Sequence, residues 1–153
     1  MAQSVIENSG TILYIYSMKQ ANSILVIDDD PLFMLLLKKT IVKYDLAKSV
    51  SAFTNGLEAF ESLKPIINEP ALLPDIILVD IEMPMMDGWE FLDEFIPLLQ
   101  KASKKISIYI ATSSIAEPDK IKSESYPMIK DYLHKPIDEP ILSRIIQDHF
   151  SAL

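Results

Sequence analysis

Apolar runs alternate with amphipathic segments along most of the chain. Residues 24–27 and 76–79 are wholly apolar, and residues 106–111 are nearly so. Such runs are typical of strands that are buried on both faces of a parallel sheet. Weaker strand patterns cover residues 49–53 and 128–133. Because helical spacing follows each strand, the pattern predicts an α/β fold: a doubly wound, five-stranded parallel sheet with helices on both faces.

Helix starts are marked by polar residues that can cap a helix. Asp30 precedes a proline, Asp138 precedes the last helix, and Asn55 is followed three residues later by Glu58, the spacing of a capping box. Pro97 lies inside the third helical pattern and predicts a kink or an early end there. In the first helix, residues 32, 35, 36, 40 and 41 follow helical spacing.

Length and composition indicate one domain and exclude several classes of protein. The 153 residues divide into an N-terminal extension, residues 1–20, and a domain, residues 21–153. The extension is either disordered or not native, or else a short ordered N-terminal arm, since residues 11–16 could form a strand. The net charge of −8 disfavours nucleic-acid binding, and no apolar run approaches the length of a membrane span. The absence of cysteine excludes disulfides and thiolate metal sites and fits a cytoplasmic location.

Polar residues that follow the predicted strands are the candidate site. Asp28 and Asp29 follow the first strand, Asp80 the third, Thr112 the fourth and Lys135 the fifth. Right-handed crossovers bring the carboxyl ends of these strands to one edge of the sheet. At this edge Asp80 is either a nucleophile, a metal ligand or both. The alternative is a purely structural role, in which Asp80 caps the next helix.

The acid pair after the first strand is the clearest sign of a metal. Once Asp30 is assigned to the helix cap, Asp28 and Asp29 have no structural role. Two charges ~5 Å apart repel by about 3 kcal/mol at an effective dielectric constant near 20. A divalent cation between them removes that repulsion, whereas the alternative is a solvated acidic loop.

Over residues 23–153 the chain resembles a response regulator receiver domain, the CheY-like family of two-component signalling. The matching residues are Asp28, Asp29, Asp80, Met83, Pro84, Asp87, Gly88, Thr112, Tyr132, Lys135 and Pro136. The resemblance implies a flavodoxin-like fold and a stand-alone phosphoacceptor protein, not an enzyme, although it assists its own phosphorylation and dephosphorylation.

The resemblance also implies a role for each site residue. Asp80 would accept the phosphoryl group, and Thr112 and Lys135 would contact its oxygens. Thr112 and Tyr132 would form the conformational switch. Mg²⁺ would be held by Asp28, Asp29, Asp80 and the backbone carbonyl of Glu82. Several relatives have asparagine at the position of Glu82, and its acidic side chain leaves the lifetime of the phosphorylated state open.

The implied partners are proteins. A sensor histidine kinase or a histidine phosphotransfer protein would donate the phosphoryl group, and a downstream protein would read it. We expect no nucleic-acid or membrane partner and no DNA-binding output domain. A homodimer would use the face from the fourth strand to the last helix.

Two other functions stay open. One is a Mg²⁺-dependent phosphatase with an aspartate nucleophile, since Asp80-Ile81-Glu82 superficially resembles the Asp-x-Asp of haloacid-dehalogenase-like hydrolases. The other is a pseudo-receiver, an interaction module that is not phosphorylated. The intact set of acidic, hydroxyl and lysine residues disfavours this second alternative.

Overall fold

The computed structural model describes residues 2–6, 12–16, 19–113 and 117–153. Within these ranges the chain forms seven strands, five α-helices and one short 3₁₀ helix. In chain order they are β1 (Ala2–Ile6), β2 (Ile12–Tyr16), β3 (Ala21–Ile27), α1 (Pro31–Lys43), β4 (Ala47–Phe53), α2 (Gly56–Leu63), the 3₁₀ helix Lys64–Ile66, β5 (Ile76–Val79), α3 (Gly88–Leu99), β6 (Ser107–Thr112), α4 (Glu117–Ser123), β7 (Ile129–His134) and α5 (Glu139–Ser151).

The main sheet has five parallel strands in the order β4-β3-β5-β6-β7, which confirms the predicted fold class. Within this sheet the chain runs first through β3, then moves outward to the edge strand β4, and then crosses back to β5 on the other side of β3. This reversal places a topological switch point between the carboxyl ends of β3 and β5, where ligands bind in open α/β sheets. Asp28 directly follows β3 and Asp80 directly follows β5.

Each face of the sheet has its own hydrophobic core. Alternate residues of β3 point to opposite faces, so that Ile24 and Val26 belong to one core, and Leu25 and Ile27 to the other. The first core is completed by the buried sides of α1 and α5 and the second by those of α2 and α3. The four residues of β5 are fully buried because both cores cover it.

The predicted caps are present, with one change. The side chains of Asp30, Asn55 and Asp138 each accept hydrogen bonds from the first turn of the following helix. The capping box predicted at Asn55 is incomplete, because the Glu58 carboxylate contacts the Thr54 hydroxyl at 3.4 Å. A complete capping box is found at the start of α3, formed by Asp87 and Glu90.

Of the two outcomes predicted at Pro97, a kink or an early end of α3, the early end is wrong, since the helix continues to Leu99. Proline removes the N–H that would bond to the carbonyl of Asp93. Asp93 and Pro97 are both exposed, so water can satisfy that carbonyl. The buried side of the helix, with Phe95 and Leu99, remains intact.

In α1 the buried side differs from the spacing noted in the sequence. Leu32, Leu35 and Leu36 are 50–62% exposed. The side that faces the sheet consists of Phe33, Leu37 and Ile41. Apolar residues surround most of this helix, and periodicity alone therefore does not distinguish its faces.

The N-terminal strands form a separate two-stranded antiparallel sheet, in which β1 pairs with β2. The predicted strand at residues 11–16 is confirmed for Ile12–Tyr16. Residues 1, 7–11 and 17–18 lie outside the described ranges. The division into an extension and a domain at residue 21 stays a prediction, as does the expectation that the extension is disordered or not native.

Candidate functional site

Three carboxylates meet at the switch point. Asp28, Asp29 and Asp80 each place one carboxylate oxygen within 4.8 Å of the other two. Their backbones are anchored by the sheet, since the N–H of Asp28 donates to Phe53 O and that of Asp80 donates to Ile27 O. Asp28 is buried and Asp80 is 9% exposed, whereas Asp29 faces solvent. The structure thus brings together the three acids that the sequence predicted as metal ligands.

Lys135 joins this cluster from the end of β7. Its Nζ lies 2.5 Å from Asp28 Oδ2 and 3.7 Å from Asp80 Oδ2. The backbone N–H of Lys135 donates to Thr112 O at 2.9 Å, which ties the loop after β7 to the end of β6. The Lys135–Pro136 peptide bond is cis. One ammonium therefore faces two of the three carboxylates.

Asp28 connects the acid cluster to α1. Its Oδ1 accepts the N–H of Asp30, which is itself the cap of α1. Its Oδ2 is buried 2.5 Å from Lys135 Nζ. We interpret this contact as a charge-assisted salt bridge, because the opposite charges are so close; it lowers the pKa of the Asp28 carboxyl against the larger effect of burial.

Burial raises the pKa of two of these acids. The pKa of Asp80 rises from 3.8 to about 6, first because the carboxyl is desolvated and then because Asp28 repels its charge, while Lys135 acts in the opposite direction. The pKa of Asp28 is also raised, again mainly by burial. When all three acids are ionised, one lysine leaves the cluster with a net charge of −2. A divalent cation would cancel that charge.

The donor set fits Mg²⁺. Carboxylate oxygens are the ligands that this hard cation prefers, and its octahedral shell normally retains several waters. Asp29 is exposed and so leaves one side of the cluster open to those waters. Asp28 Oδ2 is buried 2.5 Å from Lys135 Nζ, so a cation bound here would share this carboxylate with the ammonium. Glu82, whose carbonyl was the fourth predicted ligand, is exposed in the loop after β5.

That loop is held tightly against the end of β5. The N–H of Ile81 donates to Asp80 Oδ1 at 2.9 Å, and the N–H of Gly88 donates to Ile81 O at 2.8 Å. A Cβ on Gly88 would lie 2.2 Å from the backbone oxygen of Asp80, well inside van der Waals contact. Gly88 is therefore required for α3 to begin so close to Asp80.

The two predicted switch residues lie on the neighbouring strands. Thr112 ends β6, pairs with His134 of β7 and is 7% exposed. Tyr132 lies two residues before His134 and pairs with Ile110. Its hydroxyl is buried and has no hydrogen-bond partner among the described residues. Burial, with a contribution from the charge of Asp119, raises the pKa of Tyr132 to about 12.

Several contacts near the site escaped the sequence analysis. Trp89 Nε1 donates to Asp119 Oδ1 at 3.1 Å, and the indole ring stacks on Tyr126. These contacts hold α4 against α3 beside Tyr132. The centroid of the Phe33 ring lies 4.4 Å from Lys135 Nζ. No local signal marked Phe33, because it is one of many apolar residues in α1.

The family is decided by a match that covers most of the chain. Residues 24–147 match the family described as the response regulator receiver domain. The chain belongs to this family. Membership confirms the resemblance seen in the sequence and makes this a signalling domain of the two-component type.

Individual relatives agree with the family. The receiver domain is 32% identical over 112 residues to the chemotaxis protein CheY of Listeria monocytogenes, covering 73% of this chain and 85% of that protein. It is 31% identical over 126 residues to the sensor histidine kinase CheAY of Helicobacter pylori, covering 81% of this chain and 14% of the kinase. It thus spans only a small part of that kinase.

A solved structure shows the same fold. The crystal structure of a two-component response regulator from Cytophaga hutchinsonii superposes with a TM-score of 0.78 at 26% identity, covering 87% of this chain and 99% of the other. In the described part of the receiver chain, no helix has the length and apolar character needed to cross a membrane.

Proposed function

We propose that this receiver domain accepts a phosphoryl group on Asp80 from a histidine kinase or a histidine phosphotransfer protein, with Mg²⁺ bound to Asp28, Asp29, Asp80 and the carbonyl of Glu82. The observation that carries the proposal is the convergence of three carboxylates and Lys135 at the switch point of the sheet. In a pseudo-receiver, which is not phosphorylated, three carboxylates that repel one another would have no function.

The geometry supports the chemistry of transfer. A carboxylate oxygen of Asp80 forms a bond to phosphorus while the bond from phosphorus to the donor nitrogen breaks, and the electron pair of that bond stays on the donor imidazole. The N–H of Ile81 holds Oδ1 and turns Oδ2 toward Lys135. Bound Mg²⁺ would supply charge neutralisation and alignment for the incoming phosphoryl oxygens.

Lys135 and Thr112 contribute from the carboxyl ends of β7 and β6. The ammonium of Lys135 lies 3.7 Å from Asp80, close enough to meet a phosphoryl oxygen on that carboxylate. Thr112, which ends β6, supplies its hydroxyl to another phosphoryl oxygen in this proposal. When Thr112 turns toward the phosphoryl group, space opens behind β6 and Tyr132 moves into it.

The signal then passes to another protein in the cytoplasm. The surface that changes comprises β6, α4, β7 and α5, and a downstream target or a second copy of the chain binds there. Tyr132 is suited to this role because its ring is apolar while its hydroxyl lacks a partner within the described residues.

Intact-mass measurement after incubation with acetyl phosphate and Mg²⁺ tests the proposal. We expect the wild type to gain the mass of one phosphoryl group and Asp80→Asn to gain none. Glu94→Gln, which removes an exposed acid from the solvent side of α3, should still be phosphorylated. The proposal is wrong if the folded wild type is unmodified or if Asp80→Asn is modified equally. Steady turnover of p-nitrophenyl phosphate would instead support the phosphatase.

A further inference from the structure

We propose that Phe33 is a positioning residue for Lys135: the face of its ring holds the ammonium between Asp28 and Asp80. This inference extends the proposed phosphoacceptor function. It concerns a residue of α1 that supplies no ligand or nucleophile and has no polar side-chain atom.

The contact has the geometry of a cation–π interaction. Lys135 Nζ lies 4.4 Å from the centroid of the Phe33 ring, inside the distance of about 6 Å at which such contacts are effective. Both side chains are largely shielded, since Phe33 is 8% exposed and the Lys135 side chain 11%. Removal from water strengthens the attraction between an ammonium and the negative face of a ring.

Phe33 is itself rigidly linked to the acid pair. Its N–H donates to the Asp30 carboxylate at 3.1 Å, and the N–H of Asp30 donates to the Asp28 carboxylate at 2.9 Å. Its ring packs in the core shared by α1 and α5, where Leu37 and Ile137 are also buried. The hydrogen bonds through Asp30 thus fix the start of α1 relative to Asp28, and packing in the core fixes the ring.

Lysine needs such support at this place. Its ammonium ends a flexible four-carbon chain and has no preferred geometry of its own. Asp28 attracts it at 2.5 Å and Asp80 more weakly at 3.7 Å, so the two carboxylates alone would draw it toward Asp28. A ring face attracts the ammonium without adding a fourth carboxylate. The ammonium therefore stays near Asp80, and the N–H donors that Asp28 does not use remain for a phosphoryl oxygen.

Graded fluorination of Phe33 tests the role of the ring. Mono-, di- and trifluorophenylalanine, introduced at this single position, progressively weaken the negative ring face while hardly changing its volume. With acetyl phosphate and saturating Mg²⁺, we expect the phosphorylation rate to fall stepwise, by about three- to tenfold over the series. The same series at Phe95, which is fully buried and stacks on Phe91, serves as the control and should leave the rate unchanged.

A second background separates positioning from packing. In Lys135→Ala the fluorination series at Phe33 should have no further effect on the residual rate, because the partner of the ring is gone. Melting temperature, followed in every variant, shows that each one is folded at the assay temperature. A rate that is independent of fluorination in the wild-type background, or an equal effect in Lys135→Ala, would overturn the positioning role.

NMR of the unphosphorylated, metal-free protein gives a readout that does not depend on the proposed function. The ε protons of Lys135 should be shifted upfield by the ring current of Phe33, and Phe33→Leu should abolish the shift. If the wild type takes no phosphate from acetyl phosphate but shows this shift, the phosphoacceptor role fails and the contact stands. If the wild type is phosphorylated but its Lys135 ε protons show no such shift, the positioning role fails alone.

Discussion

Replacement of Asp80 by asparagine should stabilise the metal-free domain. The amide has nearly the shape of the carboxylate and its oxygen can still accept the N–H of Ile81. What disappears is a negative charge that is largely buried beside Asp28. The predicted effect is thus opposite to that of most substitutions at buried positions.

The magnitude follows from the pKa of Asp80. The folded-state pKa is about 6 against a usual value of 3.8. A difference of about 2.2 units at about 1.36 kcal/mol each makes ionised Asp80 unfavourable to folding by about 3 kcal/mol. The Asp80 side chain is only 12% exposed, so water weakens this penalty little.

The sign of the pH dependence is fixed by the same shift. Between pH 3.8 and about 6 the folded state binds more protons than the unfolded state, so this group lowers stability as the pH rises through that window. The full penalty is present above about pH 6. We therefore expect Asp80→Asn to exceed the wild type by about 3 kcal/mol at pH 7.5 and by about 1.5 kcal/mol at pH 5.

Urea unfolding in EDTA at the two pH values measures this difference. Glu94→Gln, which removes an exposed acid from the solvent side of α3, is the matched control and should change the free energy of unfolding by less than about 0.5 kcal/mol. The electrostatic reasoning is refuted if Asp80→Asn is less stable than the wild type at pH 7.5. It is also refuted if the gain in the free energy of unfolding is the same at both pH values.

Three further predictions concern the metal, the loop and the switch. Millimolar Mg²⁺ should raise the melting temperature of the wild type and not that of Asp29→Ala; an equal rise in both would argue against the metal site. Gly88→Ala should destabilise the domain by about 3 kcal/mol or more in urea unfolding, because its Cβ meets the backbone oxygen of Asp80; near-wild-type stability would show that the loop can yield. Thr112→Ala should accept phosphate on Asp80, yet amide exchange with beryllofluoride should no longer change around Tyr132 and α5. If those changes persist, Thr112 is not the link.

Much of the fold was predictable from sequence because its determinants are local or periodic. Unbroken apolar runs marked the buried strands, and Asp30 and Asp138 marked helix starts because a cap bonds to backbone a few residues away. The candidate acids were found in the same way. Asp80 follows an apolar run, and the alternation of strands and helices places all parallel strand ends at one edge.

Features that depend on contacts between distant segments came only from the tertiary structure. In α1, apolar residues on several sides gave periodicity no means of choosing Phe33 over Leu32 or Leu36, and the choice was made by the sheet against which the helix packs. The meeting of Lys135 with Asp28 joins residues from the two ends of the domain. The raised pKa of Asp80 arises from burial and from the charge of Asp28, which follows another strand. The order of residues thus determined which chemical groups reach the edge of the sheet. Three-dimensional packing decided the distances between these groups, their desolvation and the contact of Phe33 with Lys135, because these depend on segments far apart in the chain.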